Sequence, residues 1–125
     1  MKIKNITVGI KSLRTVLDEA KNVMKRLDAG GKVAKKKPGI YFENIDTMRK
    51  IITEERIRIL HVIKTEHPAS IYELAKLLKR DLKNVSDDVH YLAEVGLLEL
   101  EKAKVGREKT TPKVGYSKIL VEIPV

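Results

Sequence analysis

The chain has 125 residues, 42% hydrophobic and 34% charged, which suits one folded domain with an appended arm and argues against a wholly disordered chain. It has no Cys, so disulfides, thiolate metal sites and cysteine nucleophiles are excluded, and one Phe with four Tyr gives too few rings for a base-stacking surface on single-stranded nucleic acid. The net charge of +9 favours an anionic partner.

In chain order, residues 2–10 mix β-branched and polar residues in rough alternation and predict a strand. Ser12 then has the form of a helix cap, and Leu13, Val16, Leu17, Ala20, Val23, Met24 and Leu27 share one side of a helix that runs to about Asp28 and closes at Gly30-Gly31. Lys32 to Pro38, with four lysines and no acid, reads as a solvated loop; Gly39 to Glu43 predicts a short strand, and Asn44 to Ile52 a short helix with Ile45, Met48 and Ile51 on one face. Thr53 followed by Glu54 and Glu55 marks another helix start, with acids in the first turn where the dipole favours them. That helix should reach about Thr65, with His61 partly buried on it.

Ser70 and Glu73 form a capping pair for the next helix, and Asp81 opens a further one that stops at Gly96. In the latter, Leu82, Val85, Val89 and Leu92 recur at three- and four-residue steps, so they form a stripe that must be buried while the polar positions face out. A left-handed backbone at Lys79, between the two, would cost a non-glycine residue about 1 kcal/mol. Leu97 to Glu101 alternates as a strand, Lys102 to Pro112 is rich in Gly, Lys and Thr, and Val114 to Ile123 alternates again. Three helices followed by a hairpin with a long basic tip give an α+β fold of winged helix-turn-helix type. Residues 1–40 form a strand-helix extension, a candidate dimerisation arm, and residues 41–125 the DNA-binding domain.

The charge is unevenly spread: residues 1–40 carry 11 Lys/Arg against 3 Asp/Glu, residues 41–101 carry 9 against 12, and residues 102–125 carry 6 against 2. Attraction to a polyanion must therefore come from the two ends of the chain.

The stretch from Tyr41 to Val121 carries Tyr41-Phe42-Glu43, Thr53 with Arg56, Ser70-Ile71 with Glu73-Leu74-Ala75, Arg80-Asp81, Asn84-Val85 with Asp88-Val89, and Gly106-Arg107. In order and spacing it resembles archaeal and bacterial predicted transcriptional regulators of the MarR-like winged-helix group. The resemblance implies a dimeric DNA-binding regulator, and some small regulators of this kind act as antitoxins.

On this reading Lys83, Asn84, Ser86 and His90 reach base edges or phosphates from the recognition helix, since Asn suits adenine, Lys suits guanine or phosphate, and Ser suits either. Asp87, on the outward line, repels phosphate unless it accepts a hydrogen bond from cytosine N4. Lys104, Arg107, Lys109 and Lys113, with Lys102, surround the wing tip, where an Arg can enter a narrow minor groove, and Arg80 joins the set from the turn. Lys32, Lys35, Lys36 and Lys37 are candidates to track the DNA backbone. His61, His67 and His90 are too scattered for metal ligation, and no nucleophile elbow, phosphate loop or zinc-protease signature occurs. The expectation is a non-enzyme without cofactor, in the cytoplasm because no apolar run reaches about 18 residues and no signal-peptide core follows Met1. Two alternatives stand beside it: a winged helix used for protein contact, such as an antitoxin partner, and a non-specific architectural DNA binder.

Overall fold

The five helices of the described residues each open on a side-chain oxygen that accepts an orphan backbone N–H. Ser12 accepts from Thr15 at 3.2 Å, Asn44 from Thr47 at 2.8 Å, Thr53 from Arg56 at 3.2 Å, Ser70 from Glu73 at 3.1 Å and Asp81 from Asn84 at 3.2 Å. Glu73 reaches back as a capping pair should, but to the N–H of Ala69, one residue before the cap, at 3.1 Å. The computed structural model describes residues 5–30, 39–105 and 107–125 and, of residues 104, 105, 107 and 108, the backbone alone. The class is mixed α+β, in the order β1 (Asn5–Ile10), α1 (Leu13–Asp28), β2 (Gly39–Phe42), α2 (Ile45–Ile51), α3 (Glu54–Glu66), α4 (Ile71–Leu78), α5 (Leu82–Val95), β3 (Glu99–Val105), β4 (Arg107–Lys113) and β5 (Lys118–Glu122).

Two units divide the described chain, with boundaries at 50/51 and 117/118 where the charge pattern suggests 40/41. The first, residues 51–117, is built on α3, α4 and α5. Ile59 and Ile63 of α3, Leu74 of α4, and Val85, Val89 and Leu92 of α5 are its innermost side chains, with Leu97 just beyond the last helix. The stripe predicted for α5 therefore holds at three of its four positions. Leu82 is the exception, 44% exposed, because it begins the helix and projects past the end of the core. His61, expected to be partly buried, is exposed on α3. Lys79 has φ 54° and His67 φ 49°, so α3 and α4 both end on left-handed non-glycine residues, while α5 ends on Gly96 at φ 95°. Each of the first two costs roughly 1 kcal/mol, and the adjoining buried stripes outweigh that.

After α5 the chain forms the antiparallel hairpin of β3 and β4, with Glu99 opposite Lys113 and Val105 opposite Arg107. This overturns the expectation that the hairpin returns along Val114 to Ile123; the return begins at once, at Arg107. Pro112 is compatible with a ladder because β4 pairs on one side only and has a free edge for a residue lacking N–H. β4 packs against α3 and α4. Thr111 donates its hydroxyl hydrogen to the Ala69 carbonyl at 2.8 Å, and Tyr116 donates to the Leu97 carbonyl at 2.7 Å.

The second unit, residues 5–50 and 118–125, holds a three-stranded, all-parallel sheet in the order β2-β1-β5. Val8 lies opposite Ile40 on one side and Val121 on the other, so the strand expected to close the hairpin instead pairs with β1. Tyr41 stands opposite Gly9, and its ring covers the backbone there: a Cβ on Gly9 would sit 2.8 Å from the ring. Only a glycine permits that approach. Lys11 lies 4.0 Å from the centroid of the same ring and pairs with Glu19 at 3.1 Å.

Candidate nucleic-acid interface

The candidate surface is assembled on α4, α5 and the β3–β4 hairpin. Because Val85, Val89 and Leu92 are fully buried, the helical period turns Lys83, Asn84, Asp87, His90 and Glu94 outward, and all five are exposed. Ser86 is half-buried, and its hydroxyl lies 3.3 Å from Nδ1 of His90. The same Nδ1 is 2.7 Å from the Ser86 carbonyl oxygen. A carbonyl only accepts, so Nδ1 carries the hydrogen and Nε2 is left for an outside partner. Lys83, Asp87, His90 and Glu94 thus share one outward line, with Asn84 about 100° round the helix from Lys83 and Ser86 engaged at the other edge.

Arg80 stands apart from that set. Its guanidinium holds Asp88 Oδ2 at 3.2 Å and Glu55 Oε2 at 3.7 Å. Asp88 also receives Arg56 Nε at 3.3 Å, while Arg56 donates to the Ile51 carbonyl at 2.9 Å and lies 4.6 Å from the Tyr91 ring centroid. Asp88 is therefore a shared anchor that ties α5 to α3 and to the turn before it. Its side chain is only 18% exposed, so these charge-assisted bonds act where water screens them weakly. One nitrogen, Arg80 Nη1, is buried without a hydrogen-bond partner among the described residues. The sign of Arg80 suggests a phosphate contact; in the fold its guanidinium is paired with the largely buried Asp88 and with the exposed Glu55.

Lys102, Lys109 and Lys113 are exposed on the hairpin. Lys102 lies opposite Thr110 and Lys109 opposite Ala103, so the register puts these two lysines on opposite faces of the ribbon. Lys113 pairs with Glu101 at 2.9 Å, in the open. The side chains of Lys104 and Arg107 lie outside the described residues, as do Gly106 and the run Lys32, Lys35, Lys36 and Lys37.

Sequence reasoning passed over the outer face of α4. Tyr72, Lys76 and Lys79 are exposed there, with Lys76 Nζ 4.6 Å from the Tyr72 ring centroid. The signal was present in the polar positions between Leu74, Ala75 and Leu78, whose burial turns these side chains to solvent. Among the described residues no group of three or more His, Asp or Glu is placed to hold a metal ion, and no helix is long and apolar enough to cross a membrane.

An α+β protein whose central unit presents a capped two-helix pair followed by a basic hairpin is the class these features define. Residues 51–121, more than half of the chain, match the HVO_A0114 family, and the chain belongs to that family. No curated protein matches it.

Proposed function

We propose that this protein is a sequence-specific, double-stranded DNA-binding transcriptional regulator of winged helix-turn-helix type, with α5 in the major groove and the β3–β4 hairpin as a wing on the backbone or minor groove. One observation carries the reading: α5 is held by a fully buried inner stripe while Lys83 and His90 project from its outer line, which they share with Asp87 and Glu94, and Asn84 projects from the flank beside it. A helix seated in this way can enter a groove without rearranging its core. Asn84 would accept from and donate to adenine, Lys83 would serve guanine or phosphate, and His90, whose Nε2 is left as an acceptor, would take a base amino group such as that of cytosine or adenine. Lys76, Lys79, Lys102 and Lys109 would make the positioning contacts to phosphate, which carry affinity rather than sequence information. The role is non-catalytic and places the protein in the cytoplasm.

Residues 51–117 carry 12 Lys/Arg against 11 Asp/Glu. With so little excess charge, this unit would bind through local cations, and its salt slope would count the phosphates those lysines contact, about 0.9 for each. A second reading has its own support, since α4 and the start of α5 expose Tyr72, Leu77 and Leu82, side chains suited to a protein partner.

Titration of the full chain against random duplexes and duplexes selected from a random pool, at two salt concentrations, tests the proposal. A regulator prefers the selected sequence, and Asn84→Ala costs about 1–3 kcal/mol on that sequence while sparing random DNA. Equal binding of all duplexes with a steep salt slope would indicate an architectural binder; no duplex binding would leave the protein-contact reading.

A further inference from the structure

Helix α1 has sixteen residues, and none is buried. Leu13, Val16, Leu17, Met24 and Leu27 are each between 45% and 65% exposed, although they share one side of the helix with Ala20 and Val23. A helix of this length is marginal in water without tertiary packing, and an apolar face this long is rare on a free surface. The spacing identifies what would cover it. Leu13, Leu17, Ala20, Met24 and Leu27 follow alternating steps of four and three, the period at which a second helix packs along the whole seam.

We infer that α1 pairs with α1 of a second copy of this chain, antiparallel about a twofold axis. The seam, from Leu13 to Leu27, is about 21 Å long. A stable interface buries about 1,200 Å² or more in total, so the side chains flanking the two seams must join the contact. The charges beside the seam favour the reversed orientation. Arg14, Lys21 and Asp28 occupy one flank at seven-residue steps, so reversing the partner sets Arg14 of each copy beside Asp28 of the other. Lys21 meets its own copy midway, where its flexible stem lets the ammonium reach water. The opposite flank carries Val16 and Val23, which widen the apolar contact.

The inference is independent of DNA binding and is tested without DNA, by sedimentation equilibrium of the full chain over a range of concentrations. The expected result is a monomer–dimer equilibrium with a dissociation constant on the order of micromolar. Leu17→Glu should weaken it by at least about 100-fold, while Asn22→Glu, on the polar side, should leave it unchanged. Arg14→Glu should weaken the dimer about tenfold, and adding Asp28→Arg should restore it; this pair keeps the test decisive if Leu17→Glu unravels α1. A chain that stays monomeric at high concentration, with α1 covered by its own chain, overturns the inference. So does a dimer indifferent to Leu17→Glu, or one in which the second charge reversal brings no recovery.

Discussion

Residues 51–117 and the sheet unit use their apolar residues in opposite ways. In the helical unit each of α3, α4 and α5 buries a stripe, and the segments Leu97-Leu98 and Pro112 close the core from the hairpin side. In the sheet unit Val8, Gly9 and Phe42 are buried, while Leu120, Val121, Ile123 and the apolar side of α1 remain at the surface. Three parallel strands with one long helix cannot bury both faces of a sheet, and parallel sheets are ordinarily covered on both. The helical unit therefore has a complete interior of its own, and the sheet unit has apolar surface to spare for association.

The sharpest way to break this contrast is to remove one apolar side chain from each unit. Leu92→Ala should cost about 3–4 kcal/mol in urea unfolding followed by helical signal, because Leu92 is fully buried and its loss leaves a cavity. Leu120→Ala, at a position 45% exposed, should cost less than about 1 kcal/mol; equal losses would erase the distinction.

The ion network tests whether α5 is anchored by charge as well as by its stripe. Asp88→Ala leaves Arg56 and Arg80 without their common carboxylate, at side chains roughly one-quarter exposed, and should cost about 2–3 kcal/mol. An effect below about 0.5 kcal/mol would reduce the network to an ordinary surface pair.

A further effect lies in alkali. Burial pushes the Tyr116 phenol up from 10.0 to about 12, so the folded chain keeps this proton over a range where the unfolded chain loses it. The contribution is fully present below pH 10 and is lost as the pH rises from 10 towards 12. Unfolding titrations across that window should show stability falling, with a flatter decline in Tyr116→Phe. Identical slopes in the two proteins would assign the decline to other groups.

What the sequence made legible was local. Ser12, Thr53, Ser70 and Asp81 cap helices because a hydroxyl or carboxylate needs an N–H only three residues away, and that distance is written in the chain. The buried line Val85, Val89 and Leu92 is likewise set by helical period alone. Alternation from Val114 to Ile123 marked a strand near the right place, but alternation carries no address for its partner, and β5 bonds to β1 more than a hundred residues away. Arg80 shows the same limit at the candidate interface: its charge is visible, whereas the carboxylates of Glu55 and Asp88 that claim it meet only after α3 and α5 have packed.

The pairing of β1 with β5 has a consequence for the growing chain on the ribosome. β1 is made early, yet its second neighbour is translated only after all of residues 51–117. The three-helix interior, whose contacts are mostly close in sequence, can form while one edge of β1 still lacks a strand. Vectorial synthesis thus leaves the three-stranded sheet to be completed last, when β5 emerges.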